Sequence, residues 1–280
     1  MADTKISALT ELLALKIADV FPLVDDPAGT PVTKKMTIGT LLGIGWIGLG
    51  ACTYEGADAP NYTVSFASDM TAILKPGDKI KLTDSTVKYF IIMAVGAYSG
   101  GKTIITIFGG TDYTLSGGAI TLPYFSIQKS PFGFPMNPDK WTVETTDVSN
   151  RQQASPTDAT WYNPTACTIA IPIGLWTVQY HACLFAYKAA GYYQLQAMAT
   201  LSTANNSESD AAMSSSITTG GPSATGIGTV RGMVSRRKTL SLASKATYYL
   251  NCKNYTGSAD AVGFSNDVAN LSIKAICAYL

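Results

Sequence analysis

The chain has 280 residues, of which 46% are hydrophobic and only 14% charged, against about 25% charged in an ordinary soluble domain. That hydrophobic share supports a sizeable core and excludes compositional disorder. Twenty basic against 19 acidic residues give a net charge of +1, which leaves no field to gather nucleic acid or an anionic membrane. The polar positions are filled by Ser, Thr, Gly and Asn, a composition that points to β structure.

Metal, cofactor and redox chemistry find little to work with. One histidine, His181, cannot build a multi-His metal site, and its setting in Trp176 to Phe185 reads as a half-buried strand histidine. The five cysteines (Cys52, Cys167, Cys183, Cys252, Cys277) are odd in number, widely spaced and without a CxxC pair. They are expected to be free thiols acting as small apolar residues, in a protein made in a reducing compartment. No cofactor, metal or catalytic residue is therefore expected.

The first zone, residues 1–45, is short and mixed. Ile6, Leu9, Leu12, Leu13, Lys16 and Ile17 fall at helical spacing, with Thr4 or Ser7 available as a cap. Val20 to Asp25 reads as extended, Asp26 to Thr30 as a turn, Val32 to Ile38 as extended again, and Thr37 as the cap of a last short helix. So few apolar groups hardly make a self-sufficient core, so this zone is expected to need a partner surface. The N-terminus lacks the basic flank and uninterrupted apolar run of a signal peptide. Between Lys35 and Glu55 lie 19 uncharged residues, a length bordering on a membrane span, but five glycines and three threonines dilute it, and no span is expected.

The second zone, residues 46–135, reads as β. Asn61 to Phe66, Lys79 to Thr83, Lys88 to Val95 and Thr103 to Phe108 are strand-like runs between Gly, Pro and Asp turns, as expected of a small barrel or sandwich. Gly96 to Thr103 matches the phosphate-loop pattern GxxxxGK[ST]. That chemistry needs a helix to begin at Lys102, whereas Ile104 to Phe108 is a short β-branched run ended by two glycines. The match is read as a hairpin tip.

The third zone, residues 136–280, continues in strands. They are Trp141 to Thr145, Thr160 to Tyr162, Cys167 to Ile171, Trp176 to Phe185, Tyr192 to Leu201, Thr229 to Val234, Ala246 to Asn251 and Leu271 to Tyr279. Eight or more strands in this length suit a jelly-roll-like sandwich, with Ser202 to Gly228 as a long polar loop. The fold class is thus mainly β: a short mixed α/β N-terminal segment, a small β module and a C-terminal jelly-roll-like sandwich.

Several segments resemble bacteriophage virion appendage proteins. Lys5 to Leu9, Ala18 to Asp25, Gly29-Thr30 and Lys34 to Leu42 look like the N-terminal segment of tail and head appendages. Tyr89 to Ile91, Gly109 to Leu115 and Ser130 to Pro135 are similar to a β module of phage fibre proteins. Leu201 to Asn206 and Ile273 to Leu280 look like the knob or receptor-binding domains that follow it. The resemblance implies a homotrimeric virion component, assembled in the host cytoplasm and attached to other virion proteins through residues 1–45. Ile6, Leu9, Leu12, Leu13, Val20 and Phe21 are then the candidate anchor residues. It brings no catalytic residues.

Neutral loops rich in Tyr, Ser and Asn suit recognition of a host-surface glycan or protein, because aromatic faces stack on sugars and hydroxyls or amides pair with their OH groups. Tyr187, Tyr192 and Tyr193 are the candidate contact residues, with sandwich core or trimer interface as their structural alternative. Arg231, Arg236, Arg237 and Lys238 are read as a solvated strand face, or else as a contact for an anionic polymer. Two alternatives accompany the fibre reading. One is a capsid decoration or head-fibre protein that stabilises the particle. The other is a glycan depolymerase built on two of Glu144, Asp147, Asp158, Glu208 and Asp210.

Overall fold

The computed structural model describes residues 20–25, 32–37, 45–164, 167–191, 194–218 and 228–280. Strands β1 (Val20–Asp25) and β2 (Val32–Thr37) pair antiparallel, as the extended runs around the Asp-Pro turn suggested. The expected helices around Leu9 and Leu41 lie outside the described residues. So do Ile6, Leu9, Leu12 and Leu13.

A seven-stranded sheet follows. It comprises β3 (Ile47–Gly48), β4 (Cys52–Asp58), β5 (Asn61–Phe66), β6 (Lys79–Asp84), β7 (Thr86–Val95), β8 (Thr103–Phe108) and β9 (Thr121–Ser126), in the order β3-β9-β6-β7-β8-β5-β4. Tyr62 and Val64 from one side of this path share a core with Ile80, Leu82 and Phe125 from the other, so the sheet curls around its own apolar filling. The run Tyr89 to Met93 looks apolar throughout because both faces of β7 are covered. Phe90 and Ile92 point into this core, whereas Ile91 and Met93 point out of it into a second one. No helix among the described residues is long and apolar enough to cross a membrane.

The remaining strands are β10 (Thr142–Asp147), β11 (Arg151–Ala154), β12 (Thr168–Ile171), β13 (Gly174–Lys188), β14 (Gln196–Ser202), β15 (Ser214–Thr218), β16 (Gly228–Leu242), β17 (Ala246–Thr256), β18 (Ala261–Ser265) and β19 (Leu271–Cys277). Their antiparallel pairing is nested. The first strands pair with the last, β10 with β19 and β11 with β18; then come β12 with β17, β13 with β16, and β14 with β15. Folding that long double ribbon over itself adds the pairs β13 with β18 and β19, and β14 with β17. Two four-wide sheets result, β10/β11–β19/β18–β13–β16 and β12–β17–β14–β15. This is the jelly-roll connectivity.

Period-two alternation fills the space between the sheets. Trp176, Val178, Tyr180, Ala182, Leu184 and Ala186 of β13 face Ala197, Ala199 and Leu201 of β14 and Leu250 and Cys252 of β17. All five cysteines are buried, and none is in a disulfide. The buried Tyr180 hydroxyl donates to Met213 O (3.1 Å), which satisfies a polar group that would otherwise be costly in a core.

Three expectations are corrected. Thr160 to Tyr162 is not a strand: only Tyr162 bridges to Cys252, within a loop. The stretch after Ser202 is not one long loop, since a 3₁₀ turn at Ala211–Met213 leads into β15. Strands β11 and β18 were missed because Arg-Gln-Gln-Ala is polar and Ala-Val-Gly-Phe-Ser holds a glycine. That glycine, Gly263, lies against the β11 backbone, where a Cβ would collide with Arg151 O.

Candidate functional site

The nested pairing gives the sandwich two unlike ends. Strand β13 runs 15 residues, about 45 Å at the usual rise, from Gly174 at one end to Lys188 at the other. The Gly174 end abuts the seven-stranded sheet. Phe108 meets Trp176 edge to face at 5.1 Å, and Lys79 Nζ donates to Tyr279 O at 2.7 Å. Thr111 N–H donates to Lys140 O at 2.8 Å, and Lys245 pairs with Asp58 at 2.5 Å. Every one of these sandwich residues belongs to a strand end or turn on the same side. The opposite, distal end carries the ends of β11, β13, β15 and β17 and the starts of β14, β16 and β18.

Short polar ties hold the described part of that end. Asp260 organises it: its amide donates to Tyr187 O (2.7 Å), its carbonyl accepts from Ser155 N–H (2.8 Å), and its carboxylate accepts from Ala189 N–H (2.7 Å) and pairs with Lys188. The Ala189 amide, and after it Lys188, hold the Asp260 carboxyl below the usual carboxylate range. Asp158 accepts from Asn254 Nδ2 and from Ser258 N–H (3.2 Å). Two open depressions adjoin Ser258, one of about 540 Å³ lined by Lys188, Gln194 and Thr256 and one of about 330 Å³ lined by Thr157, Asp158 and Asp260.

Of the tyrosines proposed for contact, Tyr187 closes β13 at this end and is half-buried, opposite Thr229 on one side and Ala261 on the other. With Phe185, Gln152 and Arg231 it lines a depression of about 250 Å³ on the outer sheet face. Tyr192 and Tyr193 lie outside the described residues. A second aromatic group had no sequence signal: Lys253 Nζ lies 4.3 Å from the Trp161 ring centroid and 5.2 Å from that of Tyr255. Tyr162 bonding to Cys252 places Trp161 there, a tertiary contact between residues far apart in the chain.

The basic cluster of β16 divides by parity. Arg231 and Arg237 point outward, and Arg231 pairs with Asp267 at 2.9 Å. Arg236 and Lys238 alternate with them: Arg236 Nε donates to Ser214 O (2.7 Å), and Lys238 pairs with Asp210. The cluster is therefore half solvated face and half clamp on the neighbouring edge. His181 lies in a strand as read, yet it is exposed rather than half-buried, because its position in β13 points away from the core.

The phosphate-loop match is a hairpin. Ser99 and Lys102 bridge, Gly100 and Gly101 both take positive φ (59° and 78°), and Lys102 pairs with Glu55 at 2.7 Å. Two successive positive-φ residues are what a tight two-residue hairpin needs. The five carboxylates weighed for catalysis each hold local structure: Glu144 accepts from Ser272, Asp147 pairs with Arg151, Asp158 accepts from Asn254, Glu208 accepts from Ser214, and Asp210 pairs with Lys238. Among the anchor candidates, Val20 and Phe21 begin β1, opposite Thr37 and Met36.

No family model and no curated protein matches the chain. Solved structures that match the chain weakly include one of infectious bursal disease virus, Gx strain, at 8% identity, TM-score 0.26, with 82% of this chain and 73% of that chain covered. Another is the crystal structure of an IBDV viral particle, at 10% identity and TM-score 0.25, covering 90% of this chain and 60% of that one.

Proposed function

We propose that the chain is a non-enzymatic structural component of a bacteriophage particle, localised to the virion. In this reading residues 1–45 seat it on other virion proteins, residues 46–135 act as a spacer, and residues 136–280 turn outward for host-surface adhesion. The observation that carries the reading is the polarity of the sandwich. The curled seven-stranded sheet occupies the Gly174 end, so a chain attached through its N-terminal side presents the Lys188 end to solvent. The phage-like segments between Lys5 and Leu42 supply the attachment, and the jelly-roll connectivity suits a capsid or lectin-type module. The structural engagement of Glu144, Asp147, Asp158, Glu208 and Asp210 favours binding over glycan cleavage.

The test uses purified particles of the virus that encodes the chain. Peptides from residues 136–280 should be found in the particles by mass spectrometry, and antibodies against them should label the particle exterior in electron micrographs. Absence of the polypeptide from purified particles overturns the virion reading. Exterior labelling without any binding of the purified chain to host cells replaces adhesion by capsid decoration.

A further inference from the structure

The outer face of β16, β13, β18 and β19 carries a polar array that the contacts above leave largely unused. Register builds it. Arg237 stands opposite Gln179 and Gln179 opposite Lys274, while Ser235 stands opposite His181 and His181 opposite Ser272. These six side chains share one face because alternate residues of a strand do, and cross-strand neighbours sit about 5 Å apart. Gln179, His181, Ser235, Arg237 and Ser272 line a depression of about 390 Å³.

Its charges are unequally satisfied. Lys274 pairs with Asp139 at 2.8 Å and lies 4.0 Å from Glu144, which also accepts from Ser272. Among the described residues, no carboxylate or carbonyl engages the Arg237 guanidinium. Arg231, three rows further on, is neutralised by Asp267. Between them Met233 is 50% exposed and sits opposite Cys183. Beyond Arg231 the face ends in Phe185 and Tyr187 and their depression of about 250 Å³. From Gln179 to Tyr187 the face extends about 26 Å along β13.

We infer that this face is a trough for an acidic oligosaccharide, with a sugar carboxylate on Arg237 and sugar rings laid against Met233, Phe185 and Tyr187. The guanidinium fork matches a carboxylate in two parallel hydrogen bonds. Ser235, Gln179 and His181 offer donors and acceptors for hydroxyl groups, and the aromatic faces take the apolar side of a sugar ring. A single cation without a carboxylate partner among the described residues of this face, in a chain of net charge +1, suits a sparsely charged glycan rather than a nucleic acid backbone. The inference deepens the adhesive reading and rests on it for the source of the glycan.

The experiment titrates the full chain with a galacturonate hexamer and with uncharged maltohexaose, by calorimetry, for the wild type, Arg237→Gln and Tyr187→Ala, with circular dichroism confirming the fold. The acidic hexamer should bind saturably, about tenfold tighter than maltohexaose. Arg237→Gln should abolish that preference, while Tyr187→Ala should weaken both ligands by a similar factor. No saturable binding of either ligand at millimolar concentration overturns the trough, as does an Arg237→Gln variant that retains the preference. A change in oligomer mass on Arg237→Gln also overturns it, by making this face a contact between copies of the chain. Host-cell binding without galacturonate binding removes the trough and leaves the adhesive reading. Galacturonate binding by a chain absent from particles does the reverse.

Discussion

Phe108 and Trp176 meet edge to face with ring centroids 5.1 Å apart, and neither is accessible to solvent. Phe108 is the last residue of β8, and Trp176 stands near the start of β13, so this aromatic contact helps join the curled sheet to the sandwich. Trp141 packs on Phe108 as well, at 6.1 Å. Truncating either partner of such a pair removes buried area and leaves a cavity. Trp176→Ala and Phe108→Ala are each expected to cost about 3–5 kcal/mol in urea unfolding. Because the pair shares one contact, the double variant should cost less than the sum of the two. Strict additivity would show that the junction does not depend on this contact.

Lys79 is a second tie across the same junction. Its side chain is 1% exposed, its Nζ donates to Gly77 O (2.8 Å) and Tyr279 O (2.7 Å), and burial pushes its amino group below the usual lysine range. Lys79→Met keeps the apolar stem but leaves both carbonyls without this donor. A loss of about 1–3 kcal/mol is expected, read as a lower urea midpoint. An unchanged midpoint would mean that water replaces the ammonium without cost.

The buried thiols set an alkaline limit. Burial pushes Cys52 and Cys277 up to about 11 and Cys167 up to about 12, and raises Cys252 further. Each folded-state value lies above that of the unfolded chain, so above about pH 9 the unfolded state sheds protons that the folded state keeps. Stability should therefore be flat below pH 8 and fall as pH rises past 9, by about 1 kcal/mol per thiol at pH 10. Urea midpoints at pH 7.5 and pH 10 check this. Cys252→Ala should shrink the difference between the two midpoints. A thiol reagent should label none of the five cysteines in the folded protein and all five in urea.

The resemblance to virion appendages implies a homotrimer, and light scattering after size exclusion reads it directly. The full chain should elute at about 89 kDa, three times its 29.6 kDa. A monomer would confine any oligomer to the particle and favour the decoration alternative.

Much of the strand layout is legible because it follows alternation. Asn61 to Phe66 and Thr103 to Phe108 were readable as strands with the observed bounds, and the β-branched run Ile104 to Phe108 before two glycines exposed the phosphate-loop match as a hairpin. Strand β15, Ser-Ser-Ser-Ile-Thr, was unreadable: hydroxyl residues carry no core signal, and the strand exists because it pairs with β14. The site was legible only as residue types. Tyr187 was identifiable as an aromatic near a polar turn, and the run Arg231 to Lys238 as a basic stretch. Which of those cations is free depends on what stands across from each: Asp267 meets Arg231, Ser214 O meets Arg236 and Asp210 meets Lys238. None of these partners is near in sequence.

The sequence by itself determined that this protein is mainly β and near neutral in charge, because composition and period-two patterning are local properties. Tertiary structure alone decided which end of the sandwich is covered, which face of β13 is open and which arginine has no carboxylate partner among the described residues. Those outcomes depend on strand register, and register is set jointly by pairs such as Tyr187 with Thr229 and Arg237 with Gln179, more than forty positions apart in the chain.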